Sequence, residues 1–245
     1  MFNLHGKNAL VTGASGGIGR AIAETLHASG ATVTISGTRM EPLEELAHIL
    51  GQRVHILACD LSNGIEVENL SKRAQEKMGS VDILVNNAGI TRDNLFMRMS
   101  DEDWAVVMEV NLTSTMKLCR GVLRGMMKSR WGRIVNIGSV VGSTGNPGQG
   151  NYAASKAALL GMSKSLANEV ASRGITVNCI APGFVKTAMT DKLNDKQKEA
   201  IKSQIPAGRM GDVSDIAFAT LYLSSEESSY VTGSTLHVNG GMAML

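Results

Sequence analysis

A tyrosine and a lysine four residues apart, in the run Tyr152-Ala-Ala-Ser-Lys156, are the pair in this chain best suited to moving a proton. Side chains four apart on a helix share a face, so the phenol and the ammonium can approach each other. A free phenol titrates near 10 and is a poor acid at neutral pH. A neighbouring cation favours the phenolate, by ~3–4 kcal/mol if it lowers that value by ~2–3. The expectation is a tyrosine with a depressed pKa, suited to protonating a carbonyl oxygen as hydride reaches its carbon. Spacing alone also fits an ordinary amphipathic helix, so the surrounding residues have to decide.

A second cluster lies near the start. Thr12-Gly13-Ala14-Ser15-Gly16-Gly17-Ile18-Gly19 follows an apolar run and opens a helical pattern. Glycines let backbone approach a diphosphate, and a helix N-terminus offers unpaired N–H groups and a favourable dipole. The spacing is Gly-x-x-x-Gly-x-Gly rather than the common Gly-x-Gly-x-x-Gly. At the end of the next apolar run stands Ser36-Gly37-Thr38-Arg39, without the carboxylate that NAD enzymes place against the ribose. Thr38 and Arg39 suit a 2′-phosphate, which favours NADP (NADPH).

Strand–helix alternation sets these groups in place. Apolar runs predict strands at Asn8–Thr12, Thr32–Ser36, Val54–Ala58, Ile83–Asn86, Arg133–Ile137, Thr176–Ile180 and Thr235–Val238. Helical periods predict helices at Ile18–Ala28, Glu41–Leu50, Ile65–Met78, Asp101–Lys128, Tyr152–Ser172 and Val213–Leu223, with capping signals at Ser100-x-x-Asp103 and Asp212-x-x-Asp215. The pattern predicts an α/β fold, a Rossmann-type doubly wound parallel sheet of seven strands, in one domain spanning 1–245. Residues 184–209, polar and lysine-rich after Pro182-Gly183, read as a lid of short helices.

Bulk numbers exclude several classes. The 245 residues carry 24 basic and 22 acidic side chains, a net charge of +2, so no nucleic-acid partner is expected. Cys59, Cys119 and Cys179 are too widely spaced for a metal or disulfide framework, and His5, His27, His48, His55 and His237 form no ligand spacing. The N-terminus lacks a signal-peptide pattern, and no apolar run approaches the ~18 residues of a membrane span. A cytoplasmic protein without metal is expected.

Taken together, Thr12-Gly13-x-x-x-Gly17-x-Gly19, Asn86-Asn87-Ala88-Gly89, Asn111, Ser139 and Tyr152-x-x-x-Lys156 resemble the short-chain dehydrogenase/reductase family, in its order and spacing. Residues Gly89 to Met99 and Thr232 to Gly241 resemble the branch that reduces β-ketoacyl thioesters on acyl carrier protein. The resemblance implies Tyr152 as general acid, and Ser139 as hydrogen-bond partner of the ketone oxygen. Lys156 would hold the nicotinamide ribose and depress the tyrosine, and Asn111 would pin a water that relays protons. Gly13, Ser15, Gly16, Gly17, Ile18 and Gly19 would cradle the phosphates. Asp60 and Leu61 would flank adenine, Asn87, Ala88 and Gly89 the adenosine ribose, and Val185 and Thr187 the carboxamide and phosphates. Many NADP-dependent relatives carry a basic residue where this chain has Gly16, so the 2′-phosphate would rest on Thr38 and Arg39.

An acidic carrier protein calls for a basic surface beside the cleft. Lys128, Arg130 and Arg133 cluster before the fifth strand and Arg173 ends the helix from Tyr152; in the resemblance, Arg130 and Arg173 are the docking residues. Helix-end cations that only complement the dipole are the plainer reading. The helix from Tyr152 is apolar on more than one face, and a homotetramer is expected. Met97, Met99, Met189 and Met210 would give the mouth and lid a pliable wall. Two other functions stay open: reduction of another small ketone, and a sensor that binds NADP without turnover.

Overall fold

The computed structural model describes residues 1–187 and 194–245. Among them, β1 (Asn8–Thr12), β2 (Thr32–Gly37), β3 (Val54–Ala58), β4 (Ile83–Asn86), β5 (Gly132–Ile137), β6 (Ile175–Pro182) and β7 (Thr235–Val238) form one parallel sheet. Their order is β3-β2-β1-β4-β5-β6-β7. Ala9, Leu10 and Val11 of β1 pair with Ile83, Leu84 and Val85 of β4, and the order reverses between these two strands. In a Rossmann-type fold that reversal opens a crevice at the carboxyl ends of the strands.

The strands read as near-continuous apolar runs because both faces are covered. Successive side chains alternate: Ala9 and Val11 pack with Ile22, Leu26, Leu46 and Ile216 on one face, Leu10 with Val67, Leu70, Leu118 and Val122 on the other. The first face carries α1 (Gly17–Ala28) and α2 (Met40–Leu50), the second α3 (Gly64–Met78). Downstream come α4 (Asp101–Met108), α5 (Ser114–Ser129), the four-residue α6 (Val141–Thr144), α7 (Gly150–Val170), α8 (Asp195–Lys202) and α9 (Val213–Ser224). Of these, α5 and α7 join α3 on its face, and α9 packs on α1.

Both capping signals are used. Ser100 Oγ accepts from the Asp103 N–H at 3.1 Å, and Asp215 Oδ2 accepts from the Asp212 N–H at 2.9 Å. The single helix predicted over Asp101–Lys128 is instead broken by a π turn at Glu109–Thr113, which holds Asn111. Strand β6 runs from Ile175 to Pro182, beyond the apolar signal at both ends, because Ile175 pairs with Gly132 of β5 and Ala181 and Pro182 pair with His237 and Val238 of β7.

Two expectations need correction. Arg133 is not a surface cation: it is 1% exposed, donating from Nε to Ser225 O at 3.0 Å and from Nη1 to Gly132 O at 2.9 Å. Burial pushes its pKa down, against the pull of Glu226. Met210, placed by sequence on the lid wall, is 4% exposed and packed inside, whereas Met97 stands almost fully in solvent. Met189 lies outside the described residues, and of the predicted lid the described part shows α8. No helix among the described residues is long and apolar enough to cross a membrane.

Candidate active site

The crevice between β1 and β4 is a cleft of about 740 Å³. It gathers the glycine turn (Gly13, Ser15, Gly16, Gly17, Ile18, Gly19), Thr38 and Arg39 after β2, Asp60 and Leu61 after β3, Asn87, Ala88 and Gly89 after β4, and Thr187. These are carboxyl ends of neighbouring strands, which parallel topology brings to one edge.

The turn is built for close backbone approach. Gly13 has φ +66°, and a Cβ there would come within 2.9 Å of the Ala88 Cα; a Cβ on Gly19 would overlap the Gly13 carbonyl. Asn87 braces this arrangement: its Nδ2 donates to Thr12 O at 3.0 Å and Gly13 O at 3.2 Å. Thr12 Oγ1 accepts from the N–H groups of Asn87 and Ala88 at 3.1 and 3.2 Å. Asn87 therefore acts through the turn. Sequence reasoning gave Thr12 no role of its own, although its place at the strand end inside the glycine motif was the available signal.

The N-terminus of α1 has no side-chain cap and no acid in its first turn. Open N–H groups, a positive dipole end and missing Cβ atoms fit the diphosphate of a dinucleotide. Arg39 Nη2 donates to Ser15 O at 3.2 Å and lies 3.8 Å from where a Cβ of Gly16 would stand. The guanidinium thus covers the place that a basic residue at position 16 would occupy. Asp60 folds onto its own loop, accepting from Ser62 N–H at 2.9 Å.

Behind the cleft stand the four residues with candidate chemistry. Ser139 follows β5, and its Oγ accepts from the Val141 N–H at 3.2 Å at the start of α6. Tyr152 sits in the first turn of α7, its N–H held at 2.7 Å by Asn151 Oδ1, while Asn151 Nδ2 reaches Arg92 O at 2.9 Å. Burial raises the Tyr152 pKa above that of a free phenol; the Ser139 hydroxyl pulls it the other way, and the Asp93 carboxylate adds to the rise. The expected depression by Lys156 is not found. Lys156 Nζ lies 5.6 Å from the centre of the tyrosine ring and donates to Ile137 O at 2.8 Å. That hydrogen bond directs the ammonium at the backbone, and burial lowers its own pKa to about 8.

Asn111 is 1% exposed in the π turn. Its Oδ1 accepts from Ile90 N–H at 2.8 Å, and its Nδ2 donates to Ile90 O at 3.0 Å and Ser155 Oγ at 3.1 Å. A Cβ on Gly89 would meet Asn111 Oδ1 at 3.2 Å and Lys156 Nζ at 3.4 Å, so both groups converge on one backbone position. Turns of this kind recur at functional sites because they turn a side chain off the helix period.

Val185 does not line the cleft. Its side chain is buried in the core, and it forms a parallel bridge with Gly211. The bonds of that bridge run from Lys186 N–H to Gly211 O and from Gly211 N–H to Phe184 O, so Val185 turns its own N–H and C=O to the other side. Thiol chemistry finds no support: burial raises Cys119 to about 12 and Cys179 and Cys59 to about 11. Among the described residues no group of side chains could hold a metal ion.

Within one chain the docking pair is not beside this cleft. Arg130 precedes β5 while Ser139 follows it, and Arg173 lies beyond the far end of α7 from Tyr152. In a parallel sheet the residues before a strand sit on the edge opposite those after it. At 1.5 Å per residue, α7 alone separates Arg173 from Tyr152 by ~30 Å.

Comparison with known proteins gives a consistent result. A family model described as Enoyl-(Acyl carrier protein) reductase matches residues 13–243. The chain is 61% identical over 245 residues to nodulation protein G of a Rhizobium species, covering all of both chains. It is 55% identical over 243 residues to the 3-oxoacyl-[acyl-carrier-protein] reductase FabG of Vibrio cholerae, covering 99% of this chain and 100% of that protein. The FabG of Escherichia coli shows the same identity and coverage.

Proposed function

Because this chain belongs to the short-chain dehydrogenase/reductase family of oxidoreductases, we propose that it reduces β-ketoacyl groups on acyl carrier protein to β-hydroxyacyl groups, using NADPH. The observation that carries this reading is the convergence of Ser139, Tyr152 and Lys156 behind a glycine-lined cleft at the switch point of the sheet. The name shared by the Vibrio and Escherichia relatives supports the substrate class.

The chain's own residues suit each task. A ketone oxygen set between the hydroxyls of Ser139 and Tyr152 meets two donors where negative charge develops. Burial keeps the Tyr152 proton in place at neutral pH, so it is available when that charge forms. Lys156, still largely protonated at pH 7 with a pKa of about 8, favours the phenolate left behind. Asn111, anchored on the Ile90 backbone and Ser155 Oγ, pins the water that relays protons to Lys156. Gly13, Gly17 and Gly19 with the α1 N-terminus hold the diphosphate, and Thr38 and Arg39 hold the 2′-phosphate. Val185 and Thr187 contact the carboxamide and the phosphates. The nicotinamide, when bound, supplies the hydride.

The reading further treats residues 1–245 as one cytoplasmic catalytic domain, with 184–209 over the cleft, in a homotetramer. The test is NADPH oxidation with acetoacetyl-carrier protein, crotonyl-carrier protein and free small ketones, repeated with NADH. The ketoacyl thioester with NADPH should be the best pair by at least ~10-fold in kcat/KM. Preference for a free ketone refutes the substrate, and NADPH binding without turnover refutes the enzyme.

A further inference from the structure

Three consecutive residues of the segment after β4 are tied to the residues that begin α7. Arg92 O accepts from Asn151 Nδ2 at 2.9 Å, Asp93 Oδ2 accepts from Gln149 Nε2 at 3.0 Å, and the Asn94 N–H donates to Gly148 O at 2.9 Å. Phe96 closes over the same turn, since a Cβ on Gly150 would meet its ring at 3.0 Å. The first and third ties use the backbone of the segment and would form with almost any residue at 92 or 94. Only the second needs a particular side chain, at position 93.

That side chain meets a helix start with no anion of its own. The 21-residue α7 makes no side-chain capping bond at Gln149, and its first turn holds no acid. A carboxylate is favoured at such a positive end, and Asp93 brings one from outside the helix. Gln149 stands three residues before Tyr152, so the bond that fixes it also fixes the turn from which the phenol projects.

The other charges around the phenol are engaged elsewhere. Lys156 Nζ, 5.6 Å from the ring centre, donates to Ile137 O. Arg92 and Asp103 of α4 face each other at 3.9 Å, and Glu109 of the π turn pairs with Lys117 at 3.1 Å. Packed on the other side, α6 has no ionisable side chain. Asp93 forms no ion pair among the described residues, so no cation cancels its charge. A carboxylate near a phenol disfavours the phenolate, and Asp93 adds to the upward push of burial on the Tyr152 pKa.

We propose that Asp93 is a positioning residue for the proton donor: its carboxylate holds Gln149, and with it the first turn of α7, and keeps the phenol of Tyr152 protonated until the ketone oxygen takes the proton. This rests on the ketoacyl-reductase reading and adds the residue, outside the helix, that sets its acid.

Three variants separate the bond from the charge. Asp93→Ala removes both, Asp93→Asn keeps an oxygen that accepts from Gln149 and removes only the charge, and Gln149→Ala removes the bond and keeps the charge. Asp93 is exposed and Gln149 half-buried, so all three should fold. With acetoacetyl-carrier protein at pH 7, Asp93→Ala should lower kcat by ~10-fold and hold NADPH affinity within ~threefold, as expected of a slightly misplaced acid. Asp93→Asn should recover most of that rate. Combining Asp93→Ala with Gln149→Ala should cost no more than the worse single change, because both break one bond.

The charge is read without substrate, by tyrosinate absorbance with the matching Tyr152→Phe background subtracted. At pH 10 and low salt, Asp93→Asn should hold ~2–5 times as much Tyr152 phenolate as wild type, a displacement of ~0.3–1 in pH for one exposed charge. The excess should fade at about 1 M salt. An Asp93→Ala variant with wild-type kcat overturns the proposal. So does Asp93→Asn no faster than Asp93→Ala, a double variant whose losses multiply, or Asp93→Asn with no excess phenolate at low salt. Wild-type protein that reduces no ketoacyl thioester sinks the substrate reading instead, and the phenolate comparison still decides on Asp93.

Discussion

Lys156→Met should make the cofactor-free protein more stable at neutral pH and destroy its activity. Lys156 is 4% exposed, and burial lowers its pKa from the ordinary 10.5 to about 8. Holding it charged at pH 7 costs about 3 kcal/mol of folding free energy on that difference. Methionine has a similar reach and no charge, but it leaves the Ile137 carbonyl without the 2.8 Å bond it accepts from Nζ, which returns about 1 kcal/mol. A net gain of about 2 kcal/mol raises Tm by about 4–8 °C for a chain of this size. The sign with pH follows from the unfolded state binding the proton more tightly. The penalty is present in full below the folded value of about 8. It is released as pH rises from there toward 10.5, so wild type should gain on the variant across that window. Thermal unfolding of both apo proteins at matched concentration, from pH 6.5 to pH 10.5, measures this directly. A variant less stable at pH 7, or an advantage that does not shrink above pH 8, refutes the view that the site holds a costly cation.

Other perturbations read different parts of the account. Gly19→Ala puts a Cβ into the Gly13 carbonyl; it should destabilise the fold by about 1–3 kcal/mol and weaken NADPH binding in calorimetry. Arg39→Ala should cut the NADPH-over-NADH preference in kcat/KM by ~10–100-fold, the worth of a charged hydrogen bond, while NADH rates hold. Arg133→Met strands the carbonyls of Ser225 and Gly132 and should lower urea stability by about 3 kcal/mol with an unchanged m-value.

Much of the fold was legible because its determinants are local. Strands β1, β3, β4 and β7 match their apolar runs residue for residue, since short runs bounded by polar residues leave little choice of boundary. The π turn was not legible: the apolar pattern continues on both sides of Glu109–Thr113, and one extra residue per turn shifts the face without interrupting the run. The four-residue α6 reads in sequence as loop, because Val141-Gly-Ser-Thr144 has too few residues for a period. Within the site, residue types and order placed Ser139, Tyr152 and Lys156 together, but not the balance of forces among them. Burial of Tyr152 and the bond from Lys156 to Ile137 O depend on what packs around the pair, which spacing does not encode. The distance of the basic edge from its own chain's cleft was hidden for a different reason. Arg130 is near Ser139 in sequence, yet a strand stands between them, and parallel topology puts its two ends on opposite edges.

Single-turnover reduction of acetoacetyl-carrier protein by Tyr152→Phe, with NADPH affinity measured on the same sample, bears most directly on the proton donor. The account predicts NADPH affinity within about threefold of wild type and a chemical step slowed by ~10²–10⁴-fold, the usual worth of a positioned acid. A variant that binds NADPH normally and reduces the thioester at the wild-type rate would show that the proton comes from elsewhere.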